Sequence, residues 1–185
     1  SGEKITLKQA CDDFFELHDE EELKLVKSFI WYAPFFMKKM AHTKRFADML
    51  LGNYALHNNE EKQVQFGAFT AEPGDGSIYV SFMGTDDSLI GWKEDFNMSF
   101  IRPIPSQLEA AEYVNETIKY SRRKIRLGGH SKGGNLAIYA AVKAKPSLKR
   151  RIIAVYNNDG PGFDREMIES CLLYTSPSPR DMRRS

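Results

Sequence analysis

The stretch Leu127-Gly128-Gly129-His130-Ser131-Lys132-Gly133-Gly134-Asn135-Leu136-Ala137 carries the pattern G-x-S-x-G at Gly129, Ser131 and Gly133. By itself the pattern is weak, since at ordinary Gly and Ser frequencies chance writes it into about one chain in twenty of this length. Its surroundings make it strong. Lys124 to Gly128 reads as a short strand running straight into the motif, and Gly133 to Lys145 as an almost wholly apolar helix running straight out. A serine on so sharp a turn has a strained backbone, and its hydroxyl stands clear of the sheet. The flanking glycines let strand and helix approach without Cβ clashes. The helix N-terminus favours negative charge near the serine, and the Lys132 backbone N–H points toward a developing oxyanion. That combination suits a nucleophilic Ser131. The bland alternative is a glycine-rich turn with an ordinary surface serine. A phosphate-binding loop fits worse: Walker A needs G-x-x-x-x-G-K-[ST], whereas Lys132 follows Ser131, and G-x-G-x-x-G is absent.

Working outward, Pro105 and Ser106 open a predicted helix whose apolar face holds Leu108, Ala111, Val114 and Ile118. Arg151 to Asn157 is a further strand, apolar enough to predict burial on both faces. Upstream, Val64–Phe69 and Ser77–Phe82 flank the turn-rich Glu72-Pro73-Gly74-Asp75-Gly76 and predict a hairpin. Residues 63–170 thus predict an α/β core, with the alternation of strand and helix implying a mostly parallel sheet. Residues 1–62 predict an N-terminal helical segment: helical spacing runs over Leu7–Lys27, and a second helix is expected from about Phe35 to Leu50, before Gly52-Asn53. The aromatic stretch Trp31–Phe36 suits either a lid or acyl-binding wall or a buried helix.

Composition bounds the function. The 185 residues have 42% hydrophobic and 28% charged side chains and a net charge of +1, with no basic block beyond short pairs. Nucleic-acid or anionic-membrane binding through charge alone is excluded, and no apolar run approaches a membrane span. No signal-peptide core opens the chain. Cys11 and Cys171, far apart and outside any Cys/His cluster, predict neither a disulfide framework nor a metal site. A reducing, cytoplasmic setting is expected, with no cofactor.

A second block, Phe82-Met83-Gly84-Thr85-Asp86-Asp87, then Gly91-Trp92-Lys93-Glu94-Asp95-Phe96, leaves the end of an apolar strand. There Thr85 could offer a backbone N–H or hydroxyl to an oxyanion, or the loop could simply cap a helix. These two blocks, followed by Val155-Tyr156-Asn157-Asn158-Asp159-Gly160-Pro161-Gly162-Phe163, resemble the Mbeg-like family. Its members are largely uncharacterised bacterial α/β-hydrolases, long catalogued as a domain of unknown function and distantly similar to class 3 lipases. The resemblance spans roughly Phe35 to Phe163. It implies the α/β-hydrolase fold with a nucleophile elbow, Ser131 as nucleophile, and Thr85 with Lys132 as oxyanion donors. The chain departs at Met83, where relatives usually carry Arg, which puts in doubt a structural salt bridge more than the chemistry. The implied activity is a serine esterase or lipase-like hydrolase acting on a small-molecule or lipid-like ester. A non-catalytic scaffold on the same fold is the alternative, and acyl transfer to an acceptor other than water is another.

Such chemistry needs a base and an acid, in the order Ser, then Asp or Glu, then His. All four histidines, His18, His42, His57 and His130, stand before Ser131. The catalytic His is therefore expected outside this chain, which reads as lacking its C-terminal part and its natural start, and which is expected to be inactive as it stands. Asp159, past the strand, could be the acid or could shape the turn before Gly160-Pro161; Asp164 is a weaker candidate. Residues 171–185, from Cys171-Leu172-Leu173-Tyr174-Thr175-Ser176-Pro177, read as a translated sequencing adapter, where apolar periodicity has stopped.

Overall fold

The computed structural model describes residues 4–28, 31–59, 61, 64–85, 91, 93, 96, 98 and 103–163. Asp164, the adapter-like 171–185 and most of the block from Asp86 to Phe96 lie outside the described residues.

A six-stranded sheet runs in sequence order: β1 (Ile5–Thr6), β2 (Leu50–Asn59), β3 (Val64–Glu72), β4 (Ser77–Phe82), β5 (Lys124–His130) and β6 (Ile152–Asn158). The first three pairings are antiparallel and the last two parallel. The fold is α/β, but the sheet is mixed, not mostly parallel as the sequence predicts. Short connections join β2 to β3 and β3 to β4 and so reverse the chain, β1 pairs antiparallel with β2 across the intervening α1–α3, and helices link parallel neighbours only after β4.

Among the described residues, α1 (Leu7–Leu17), α2 (Glu20–Leu25) and α3 (Ala33–Ala41) precede β2. The Thr6 hydroxyl caps α1 by accepting from the Gln9 N–H at 3.1 Å, and the Asp19 carboxylate caps α2 from the Glu21 N–H at 2.8 Å. The segment 1–62 also carries β1 and β2, which the helical reading misses, and the helix expected from about Phe35 to Leu50 is α3, which ends at Ala41. Gly52-Asn53 reads in sequence as a helix stop. In the fold it is a bulge: the β2–β3 register shifts between Gly52 and Ala55, and Asn53 takes φ 52°. The Asn53 amide donates to the Thr70 hydroxyl at 2.9 Å, and the half-buried Tyr113 hydroxyl donates to the Asn53 carbonyl at 2.6 Å.

The β3–β4 hairpin forms as expected, with Gly74 and Gly76 at φ 84° and 79° in its turn. Then α4 (Pro105–Thr117) and α5 (Lys132–Lys143) cover one sheet face, and the short α6 (Pro146–Lys149) leads into β6. Val64, Phe66, Val80, Phe82, Ile125 and Leu127 meet Ala110, Val114, Leu136 and Ala140 in the main core. A smaller cluster joins Leu7, Cys11 and Ala41 to Leu51 and Phe15.

Two burial predictions fail. Leu108 is exposed, because α4 turns Gln107 inward instead; the Gln107 carboxamide oxygen accepts from the Ile104 N–H at 3.1 Å, and its nitrogen donates to Asn135 at 2.8 Å. β6 is not buried on both faces: Ile153, Val155 and Tyr156 are 44%, 36% and 46% exposed. Among the described residues β6 is the last strand of the sheet, so one side of it meets no ladder. No helix among the described residues is long and apolar enough to cross a membrane.

Candidate active site

The site stands at the carboxyl ends of β4 and β5, where parallel strands present their loops. β5 ends at His130 and α5 starts at Lys132, leaving Ser131 alone to turn the chain. Its φ of 52° and ψ of −128° lie where side-chain-bearing residues are rare, a strain of about 1–3 kcal/mol that surrounding contacts must hold. They do. The Ser131 N–H donates to the Asn158 carbonyl at 2.8 Å, continuing the β5–β6 ladder, while its carbonyl accepts from Gly134 at 2.9 Å as the first turn of α5. The serine itself is partly exposed.

Glycine makes the turn possible by absence of volume. A Cβ on Gly133 would run into the Phe82 carbonyl oxygen and lie 2.9 Å from that of Met83, so α5 begins directly on the end of β4. A Cβ on Gly129 would strike the Gly133 backbone and come within 2.7 Å of the Phe82 oxygen. Real side chains are not found that close.

The loop leaving β4 abuts this turn. An added Cβ on Gly84 would fall 2.9 Å from the His130 carbonyl oxygen and 3.8 Å from the Ser131 Cβ. Thr85, half-buried, is the next residue. Sequence blocks nearly fifty residues apart are thus brought side by side, because β4 and β5 pair in register with Phe82 opposite Gly129.

The Lys132 side chain, on which the sequence reading made no statement, has its own place in the fold. It is fully buried, and Nζ donates to the Gln65 carbonyl at 2.8 Å and the Gln65 side-chain oxygen at 2.7 Å. The expectation concerned only its backbone N–H. Gln65 itself, 3% exposed on β3, gave no signal in the sequence, where strand alternation would set it on a polar face. Buried Asn135 was also missed: it accepts from Gln107 and donates to the Pro161 carbonyl at 3.0 Å, clamping α4, α5 and the loop after β6 together.

Asp159 sits in that loop with φ 54° and is exposed. Beside it the Asn157 side chain accepts from the Gly160 N–H at 3.0 Å, a local turn bond. The histidines are distributed elsewhere. His18 lies against the Phe14 ring with centroids 4.5 Å apart, and His42 Nδ1 meets the Lys38 carbonyl at 2.7 Å. His130 ends β5 opposite Asn158 and is exposed. His57 on β2 pairs with Glu109 of α4 at 2.8 Å, a His–carboxylate couple that sequence reading did not find. Two strands stand between β2 and β5, a separation of about 14 Å at ordinary strand spacing, beyond hydrogen-bond reach of Ser131.

The fold and this turn define an α/β protein that presents a strained serine at the carboxyl ends of its parallel strands. The chain belongs to the Mbeg1-like family, whose model matches residues 40–180. No curated protein matches it. Among solved structures it is similar to a fungal lipase–inhibitor complex, described as a model for interfacial activation in lipases, at 16% identity and a TM-score of 0.36. That similarity covers 82% of this chain, which spans 59% of the lipase chain.

Proposed function

We propose that this protein is a serine hydrolase of the α/β-hydrolase fold, esterase- or lipase-like, with Ser131 as nucleophile. The observation that carries the reading is the backbone of Ser131, at φ 52° and ψ −128° between β5 and α5, with Gly84 against it. Strain of this kind persists where it serves a task, and the strand-to-helix turn is the nucleophile elbow of this fold. Ser131 Oγ would attack an ester carbonyl carbon, its proton passing to a general base. The negative charge on the former carbonyl oxygen would face the backbone N–H of Lys132 and a donor from Thr85. Collapse expels the alcohol, which takes a proton, and leaves an acyl-enzyme that water, or another acceptor, then cleaves. Asp159 as acid is the weaker part of the proposal, since its position in the turn already accounts for it. The base is not assigned to any of the four histidines. The substrate would be a small-molecule or lipid-like ester.

The test is fluorophosphonate labelling of this chain, and of any longer natural form of it, beside Ser131→Ala. Labelling that disappears in the variant is the expected result for a form that contains the base. A well-folded natural form that never labels would move the protein to the scaffold reading, with the elbow kept as architecture.

A further inference from the structure

We infer that the Lys132 side chain, apart from its backbone N–H, is a positioning residue that locks the Ser131 turn to the Met83–Thr85 loop. Lys132 is the largest fully buried side chain among the described residues. A long cationic chain is taken out of water only where polar groups hold its end, and here both oxygens of Gln65 do so, at 2.8 and 2.7 Å. The topology gives this contact its meaning. Lys132 begins α5, directly after β5, whereas Gln65 belongs to β3, and β4 lies between those two strands. The side chain must therefore cross the end of β4. That is where Met83–Thr85 leaves the sheet: the Met83 N–H still donates to the Gly67 carbonyl at 2.9 Å, and continuing the register sets Thr85 level with Gln65. The start of α5 rests on the same strand end, since Gly133 has room for no Cβ beside the Phe82 and Met83 oxygens. One side chain thus ties the serine turn to the far side of the loop that it faces. An apolar chain of equal length would fill the space without fixing the distance between α5 and β3.

The geometry stands alone, but its chemical consequence rests on the hydrolase reading above. The test is hydrogen exchange by mass spectrometry in wild type and Lys132→Met, together with the rate of fluorophosphonate labelling. Expected are exchange faster by about tenfold in the peptides covering Met83–Thr85 and Ser131–Gly134, with β3–β5 unchanged. Labelling, in a form that labels, should slow by up to about 10²-fold, the usual cost of a reacting group displaced by about 1 Å. Unchanged exchange in both peptides overturns the inference. So does exchange that rises equally across the whole sheet, which is a purely structural role. Should Lys132→Met not fold, Gln65→Leu removes the side-chain acceptor of Lys132 and is read by the same outcomes. A wild type that never labels removes the hydrolase reading, and the exchange result still decides on Lys132.

Discussion

Gly133 shows what a single residue contributes at the site. In an exposed helix, replacing Gly by Ala gains about 1 kcal/mol. At Gly133 that gain is outweighed, because the new methyl group would collide with the Phe82 carbonyl, which is backbone and has little freedom to move. Overpacking of this kind costs about 1–3 kcal/mol or more. Gly133→Ala is therefore expected to lower the urea midpoint and to drive α5 away from β4, abolishing labelling of Ser131 where the wild type labels. A variant as stable as wild type would show that the helix start is not seated on β4. Ser131 is the counterpart: its side chain is tolerated at positive φ because the Asn158 and Gly134 bonds hold both of its backbone groups.

At the scale of elements, the β3–β4 hairpin is held to β5 through its turn. Asp75 accepts from the Ser77 N–H at 2.9 Å and also from the Ser77 hydroxyl, and pairs with Arg126 at 2.8 Å. The Ser77 hydrogen bonds, then Arg126, hold its carboxyl at about 2, against an ordinary 3.8. The sign follows from linkage: a carboxylate with depressed folded pKa adds stability that is complete above its unfolded value and fades as pH falls through the folded one. Wild type should thus exceed Asp75→Asn in thermal midpoint near neutrality, with the gap closing between pH 3.8 and about 2. A gap independent of pH would assign the effect to the turn's shape, not to charge. Glu72 at the end of β3 behaves alike in direction, its carboxyl lowered first by Lys4 and further by Arg123 against the opposing effect of burial. The hairpin was legible in sequence because Pro73-Gly74-Asp75-Gly76 has turn chemistry. The bulge in β2 was not, since a Gly-Asn pair stops a helix as readily as it kinks a strand.

The whole molecule is unevenly covered. Helices α4 and α5 bury one face of β3–β5 almost completely, while β6 keeps Ile153, Val155 and Tyr156 between 36% and 46% exposed. β6 is the last strand of the sheet among the described residues, and apolar side chains on an unpaired strand invite pairing with another chain. Ile153→Lys is expected to reduce concentration-dependent self-association in light scattering, with stability changed by no more than about 0.5 kcal/mol. Equal association in both proteins would place the sticky surface elsewhere, for instance at Leu17, Leu25, Trp31 and Phe36, all more than half exposed.

The sequence by itself determined the α/β class, the β3–β4 hairpin, the strand–serine–helix turn and the family, because each is written in local periodicity, glycine placement or contiguous motif. It also named Ser131, Thr85 and Lys132 as the residues to examine. Tertiary structure alone decided the mixed sheet, the exposure of Ile153, Val155 and Tyr156 on β6, the inward Gln107, and the approach of Gly84 to Ser131. It alone sent Lys132 into the interior. The physical reason is common to these: periodicity tells which side of an element is apolar, but a polar chain such as Lys132, Gln65 or Asn135 is buried only when a partner from a distant segment arrives to satisfy it. That arrival is fixed by strand order and register, which no local stretch of sequence encodes.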